Sequence, residues 1–109
     1  MRVIEKEMIN AINHRKYWTK DNTRVCPQSD CIEVWLYSTQ IATIYSDRIV
    51  IRTGNWHTKT TKNRLNVILS EYTDYFIQQV EFSWYLVNKN VHSVRNSESF
   101  MENMTIPRA

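Results

Sequence analysis

The residues able to do chemistry in this chain gather in one stretch, "RTGNWHTKTTKNRLN", residues 52–66. It holds the single glycine, Gly54, together with Trp56, four threonines and four Lys/Arg residues, and it has no acid. His57 brings an imidazole that can move a proton near neutral pH. Acid–base or nucleophilic catalysis also needs an orienting group, and no acid lies near His57 in sequence. One glycine is too few for a P-loop or a dinucleotide fingerprint, where glycines let backbone approach phosphate. The acids pair only loosely, at Glu5/Glu7 and Glu98/Glu102, and these read as solvated surface charge. No catalytic residues are expected, and the chain does not read as an enzyme.

Binding is the chemistry the stretch does offer. A helix start presents free amides and a positive dipole end, which favour an anion. Arg52, Trp56, His57, Lys59, Thr60, Thr61, Lys62 and Arg64 form the first candidate site, a basic junction with one ring able to stack a base. The same residues also have an architectural reading. Gly54 ends a strand in a turn, Trp56 folds over the sheet–helix seam as a lid, and Thr60 caps the helix in preference to Thr61. Charge keeps the binding reading open. Residues 48–64 contain Arg48, Arg52, Lys59, Lys62 and Arg64 and no acid, so this window is +5 within a chain of net +3. A local positive field attracts phosphates and acidic proteins alike.

A second candidate site is aromatic. Trp35, Tyr37, Tyr45 and Tyr85, with Trp18, are more rings than one small core readily holds. On a sheet face turned away from the helices they would form the kind of patch that anchors proteins.

These residues need elements to position them. "VIEKEMINAINHRKYW" has Ile4, Met8, Ala11 and Ile12 at helical spacing. "TKDNTRVCP" breaks that pattern and reads as a loop. "CIEVWLY", "IATIYS" and "IVIRT" read as three strands, and their short links require an antiparallel meander. Leu65, Ile68 and Leu69 stripe a second helix. "YFIQQVEFSWYLV" alternates over thirteen residues, with Val80, Phe82, Trp84 and Leu86 pointing one way. That run is one bent strand, or two strands joined near "QQVE". The expected fold is a two-layer α+β domain, a small antiparallel sheet covered on one face by two helices. The domain spans residues 1–96, and 97–109 is expected to be a mobile tail.

Composition bounds the remainder. At 109 residues, 42% hydrophobic and with thirteen aromatics, the chain is a single folded domain. Neither an apolar run of about 18 residues nor a secretory h-region is visible, so no membrane partner is expected and the expected compartment is cytoplasmic. Cys26 and Cys31 are spaced C-x4-C and read as free thiols. His14, His57 and His92 are too scattered to complete a zinc set with them. No metal and no cofactor are expected.

The run "RIVIRTGNWHTKTTKNRLNVIL" resembles a segment found in a family of small bacteriophage and prophage proteins. There, a strand leads through glycines and an aromatic into a G-x-[WY]-x-T-x-T-T-K-x-R-x-N helix start. The matching positions are Gly54, Trp56, Thr58, Thr60, Thr61, Lys62, Arg64 and Asn66. The flanking "WTKDNTRV", "IEVWLYSTQIATIY" and "FSWYLV" resemble the family too, which extends the likeness over about residues 10–87. Asn55 stands where a second glycine often occurs. The resemblance implies phage origin, location in the cytoplasm of the host cell and a compact α+β domain, and it implies no reaction. Two functions follow as expectations. One is an accessory protein that binds and modulates or inhibits a host protein, such as a nucleic-acid-processing or defence enzyme. The other is direct nucleic-acid binding through the basic junction. Self-association is compatible with both.

Overall fold

The computed structural model describes residues 1–91 and 97–109. Helix α1 (Val3–Asn13) opens the chain and buries Met8, Ile9, Ala11 and Ile12. Its first turn is closed by Glu5, whose Oε1 accepts from the Arg2 N–H at 3.1 Å. It ends several residues before the pattern suggested, at His14, where the chain turns through a left-handed Arg15 (φ 50°).

The segment expected as a loop is instead a hairpin of β1 (Trp18–Lys20) and β2 (Thr23–Pro27). Its Asp and Asn residues occupy the tight turn, Asp21 with φ 52°, while Thr23 and Val25 face inward. The expected meander follows as β3 (Ile32–Leu36), β4 (Thr39–Ile44) and β5 (Arg48–Ile51). A register shift between Val34 and Trp35 marks a bulge. After helix α2 (Lys59–Tyr72) the thirteen-residue run folds back on itself as β6 (Tyr75–Val80) and β7 (Ser83–Asn88). Short strands β8 (Glu98–Ser99) and β9 (Met104–Pro107) complete the chain.

All strand pairs are antiparallel. The larger sheet has the order β1-β2-β3-β4-β5-β9, and the smaller has β6-β7-β8. The segment expected as a mobile tail thus supplies an edge strand: Ile106 pairs with Ile49 and is fully buried. Four residues ending in a proline carry too little alternation to announce a strand. The β6–β7 turn also corrects the predicted facing. Gln79 pairs with Trp84 and Val80 with Ser83. Directly opposed residues share a face and neighbours alternate, so Val80 lies opposite to Trp84 and Leu86. Phe82 sits in the turn.

Both helices pack against the larger sheet, which gives the α+β arrangement expected. The core joins Val34, Ile49, Ile51 and Ile106 from that sheet to Met8 and Ile12 of α1 and Leu65, Ile68 and Leu69 of α2. Ile77, Trp84 and Leu86 extend it under the smaller sheet. Each fully buried aliphatic side chain of α2 stabilises by about 1.5–3 kcal/mol. The consequence for the site is that the start of α2 is fixed from below.

Candidate binding cleft at the strand-to-helix junction

Strand β5 leaves the sheet through a turn whose two central residues are both left-handed, Gly54 (φ 62°) and Asn55 (φ 70°). The Trp56 N–H closes it on the Thr53 carbonyl at 3.1 Å. Asparagine tolerates this conformation better than most residues, so the absence of a second glycine leaves the turn intact. Gly54 has a further constraint, since a Cβ there would lie 2.9 Å from the Thr39 methyl.

The turn is held by an acid that sequence spacing hid. The Glu102 carboxylate accepts from the Thr53 N–H (2.7 Å to Oε2), from the Asn55 N–H (3.2 Å to Oε1) and from the Thr53 hydroxyl. Burial pushes this carboxyl up, but hydrogen bonds from the Thr53 hydroxyl and from the Thr53, Asn55 and Gly54 amides outweigh it. The net effect holds Glu102 below the usual glutamate value.

Thr58, rather than Thr60, caps α2. Its extended backbone lets Oγ1 accept from the Thr61 N–H at 3.1 Å, and the two hydroxyls meet at 2.9 Å. Lys62 donates to Gln79 Oε1 at 2.9 Å. Arg64, expected on a basic surface, is buried. Its Nη1 pairs with Glu5 Oε2 at 3.2 Å, and its Nε donates to Thr23 Oγ1 at 3.1 Å. Asn66 brackets β6, donating to the Ile77 carbonyl (3.0 Å) and accepting from the Ile77 N–H (2.7 Å). Arg52 donates to Asn103 Oδ1 (2.6 Å) and Thr43 Oγ1 (3.2 Å). Thr53, Thr58 and Thr61 and most of the cations are therefore explained by architecture. Lys59 has no ion-pair partner among the described residues.

Trp56 is not explained that way. It is 67% exposed, so it is no lid over the seam. It stands at one side of a cleft of about 320 Å³. Tyr37, 74% exposed, lines the same cleft from the two-residue turn between β3 and β4 and is itself left-handed at φ 54°. Leu36 and Ile41 form an apolar floor, and the hydroxyls of Ser38 and Thr58 add a polar rim. One residue from each candidate site thus lines a single cleft. The β3–β4 turn was legible in sequence, but nothing local tied it to residues 53–61. A bulky residue at positive φ is costly, and Tyr37 is held there with its ring in solvent.

The other aromatics do not join this cleft. Trp35 lies mid-sheet on the outer face, its Nε1 bonded to Glu33 (3.1 Å) and Arg24 over its ring. Tyr45 follows the far end of β4, about 20 Å from Tyr37 at 3.3 Å per residue, with Arg48 stacked on it at 4.0 Å. Tyr85 belongs to the smaller sheet. Tyr85 thus lies on a different sheet from Trp35 and from the strands that Tyr37 and Tyr45 flank, so the four rings do not share the one sheet face expected from sequence.

His57 packs against Trp84 and Phe100, at centroid distances of 4.7 and 5.8 Å. These contacts seat the junction loop on β7. Cys26 and Cys31 are both free, and burial raises the Cys31 thiol above its ordinary value. Among the described residues no group of three or more His, Cys, Asp and Glu is placed to hold a metal. His92 lies outside them. No helix among them is long and apolar enough to cross a membrane.

Fold and site together define a small two-sheet α+β domain with an aromatic-walled, hydroxyl-rimmed cleft at the start of its second helix. Within that class the chain belongs to a phage protein family: its sequence matches the Kyanoviridae Gp96 protein over residues 1–107. No match is found among curated proteins or among solved structures.

Proposed function

We propose that this phage protein is an accessory factor that binds a host protein and modulates or inhibits it, gripping an apolar side chain of the partner between Trp56 and Tyr37. The observation that carries the reading is that two exposed aromatic residues line one cleft together with buried Leu36 and Ile41. Anchor pockets of protein interfaces have this make-up, and tryptophan and tyrosine are their commonest hot spots. A nucleic-acid-processing or defence enzyme of the host fits the phage setting.

Direct nucleic-acid binding is the weaker reading because its cations are spent or scattered. Backbone recognition draws on several free Lys and Arg side chains. Here Arg64 is neutralised by Glu5, Arg48 pairs with Asp47 beside Tyr45, and Glu102 places a carboxylate at the junction turn.

The test is capture of partners from a nuclease-treated bacterial lysate with the wild type and with Trp56→Ala/Tyr37→Ala. A partner retained by the wild type and lost by the double variant is the expected result. The control is a gel shift with single- and double-stranded DNA and RNA across salt. A steep, salt-sensitive shift that Lys59→Ala/Lys62→Ala abolishes would replace protein binding with nucleic-acid binding.

A further inference from the structure

Phe82 is 95% exposed, the most exposed large apolar side chain described, at the tip of the β6–β7 hairpin. Beside it, Glu81 is left-handed (φ 57°) and exposed, with no ion-pair partner among the described residues. Val80, one residue before, is also exposed. A turn of this kind normally carries Asn, Gly or Asp, so a phenylalanine there is not a product of turn chemistry.

The hairpin tip lies at the same end of the molecule as the cleft. Lys62, one turn into α2, reaches Gln79, the neighbour of Val80. Gln79 pairs with Trp84, on which His57 packs, and His57 adjoins Trp56. Met101, exposed beside the Glu102 clamp, completes the apolar surface of this end. One end therefore carries a socket and a plug. The socket is lined by Trp56 and Tyr37, with Lys59, a cation without an ion-pair partner among the described residues, next to its lining residue Thr58. The plug is a ring with Glu81 beside it, an anion without an ion-pair partner among the described residues.

From this self-complementarity we infer that the protein associates with a second copy of itself, Phe82 of each copy entering the Trp56/Tyr37 cleft of the other. A two-fold arrangement makes both contacts at once, because each copy presents the same patch. Glu81 of one copy then faces Lys59 of its partner at the rim, where charge sets register more than affinity. The inference rests on reading the cleft as an anchor socket. It adds that a host partner competes with the second copy for that socket. Two ring insertions on a small surface support a modest affinity, with Kd on the order of 10 µM.

Sedimentation equilibrium from about 1 to 200 µM, spanning that Kd, tests it on the full chain, with circular dichroism confirming that each variant is folded. Wild type is expected to shift from monomer to dimer across this range. Phe82→Ser and Trp56→Ala/Tyr37→Ala are each expected to be monomeric throughout. Mixing these two is the decisive arm, because one intact plug then meets one intact socket. A heterodimer weaker than the wild-type dimer by at least about tenfold, yet absent from either variant alone, supports the plug-and-socket contact. Glu81→Lys should weaken association, and Lys59→Glu in the same chain should restore it. A wild type monomeric at the top concentration overturns the proposal, as does a Phe82→Ser variant that dimerises like wild type. Neither result touches the host-protein reading, because Phe82→Ser keeps its cleft and is expected to retain partner capture.

Discussion

Gly54 shows how narrowly one residue can be determined. Its positive φ disfavours a side chain, and the Thr39 methyl occupies the space a Cβ would take. Gly54→Ala is expected to destabilise by about 2 kcal/mol, the left-handed cost of 1–2 plus local repacking, as read by urea denaturation. Asn55 at the next position bears the same conformation without glycine. Trp56, one residue further, is the opposite case. Its neighbours have identifiable structural tasks and its ring does not, so its substitution should cost little stability. Sequence marked Gly54 as a turn and Trp56 as notable. It could not say which was structural, because exposure of a ring is set by what the rest of the chain leaves uncovered.

At the level of elements, helix α2 connects the cleft to the core. Its start is fixed by Thr58, its middle by Asn66 on β6, and its buried face by Leu65, Ile68 and Leu69. Thr58→Ala should cost about 1 kcal/mol, whereas Thr60→Ala, at a position without the capping bond, should cost less than about 0.5. Thermal melts of the two variants check the assignment, and equal losses would refute it. The closely spaced Thr58, Thr60 and Thr61 make the cap ambiguous in sequence, since the choice depends on where the Thr53–Trp56 turn releases the chain. The β6–β7 hairpin was obscured for a related reason. Its turn is two residues long and contains a phenylalanine, so the alternation appears unbroken from Tyr75 to Val87.

For the whole molecule, two acids remote in sequence hold the junction, one from each end of the chain. Glu5 receives Arg64 within the core, and Glu102 receives the turn amides. Arg64→Ala leaves Glu5 buried without its cation, and a loss of about 3–5 kcal/mol is expected. Urea titration would measure it. A loss under 1 kcal/mol would mean that the pair is not sealed from water. Glu102 gives a pH signature. Its folded value is depressed, so its contribution is complete above the ordinary glutamate value of about 4.3 and disappears as pH falls through the lower folded value. Melting of the wild type and Glu102→Gln should therefore differ most at neutral pH and converge in acid. An unchanging gap from pH 7 to strong acid would count against the clamp.

Local pattern by itself determined the second helix, the central meander, the left-handed turn at Gly54 and the α+β class. These depend on hydrophobic period and turn chemistry, which act over a few residues. Tertiary structure alone decided where the charge of residues 48–64 goes. It buried Arg64 against Glu5, brought Glu102 from the far end onto the turn, and drew Ile106 into the sheet. It also brought Tyr37 and Trp56 to the same cleft. Such pairings join residues 19 to 59 positions apart, and no periodicity encodes them. They arise because a buried ion finds a counter-ion and an exposed sheet edge finds a strand once the chain has closed on its core.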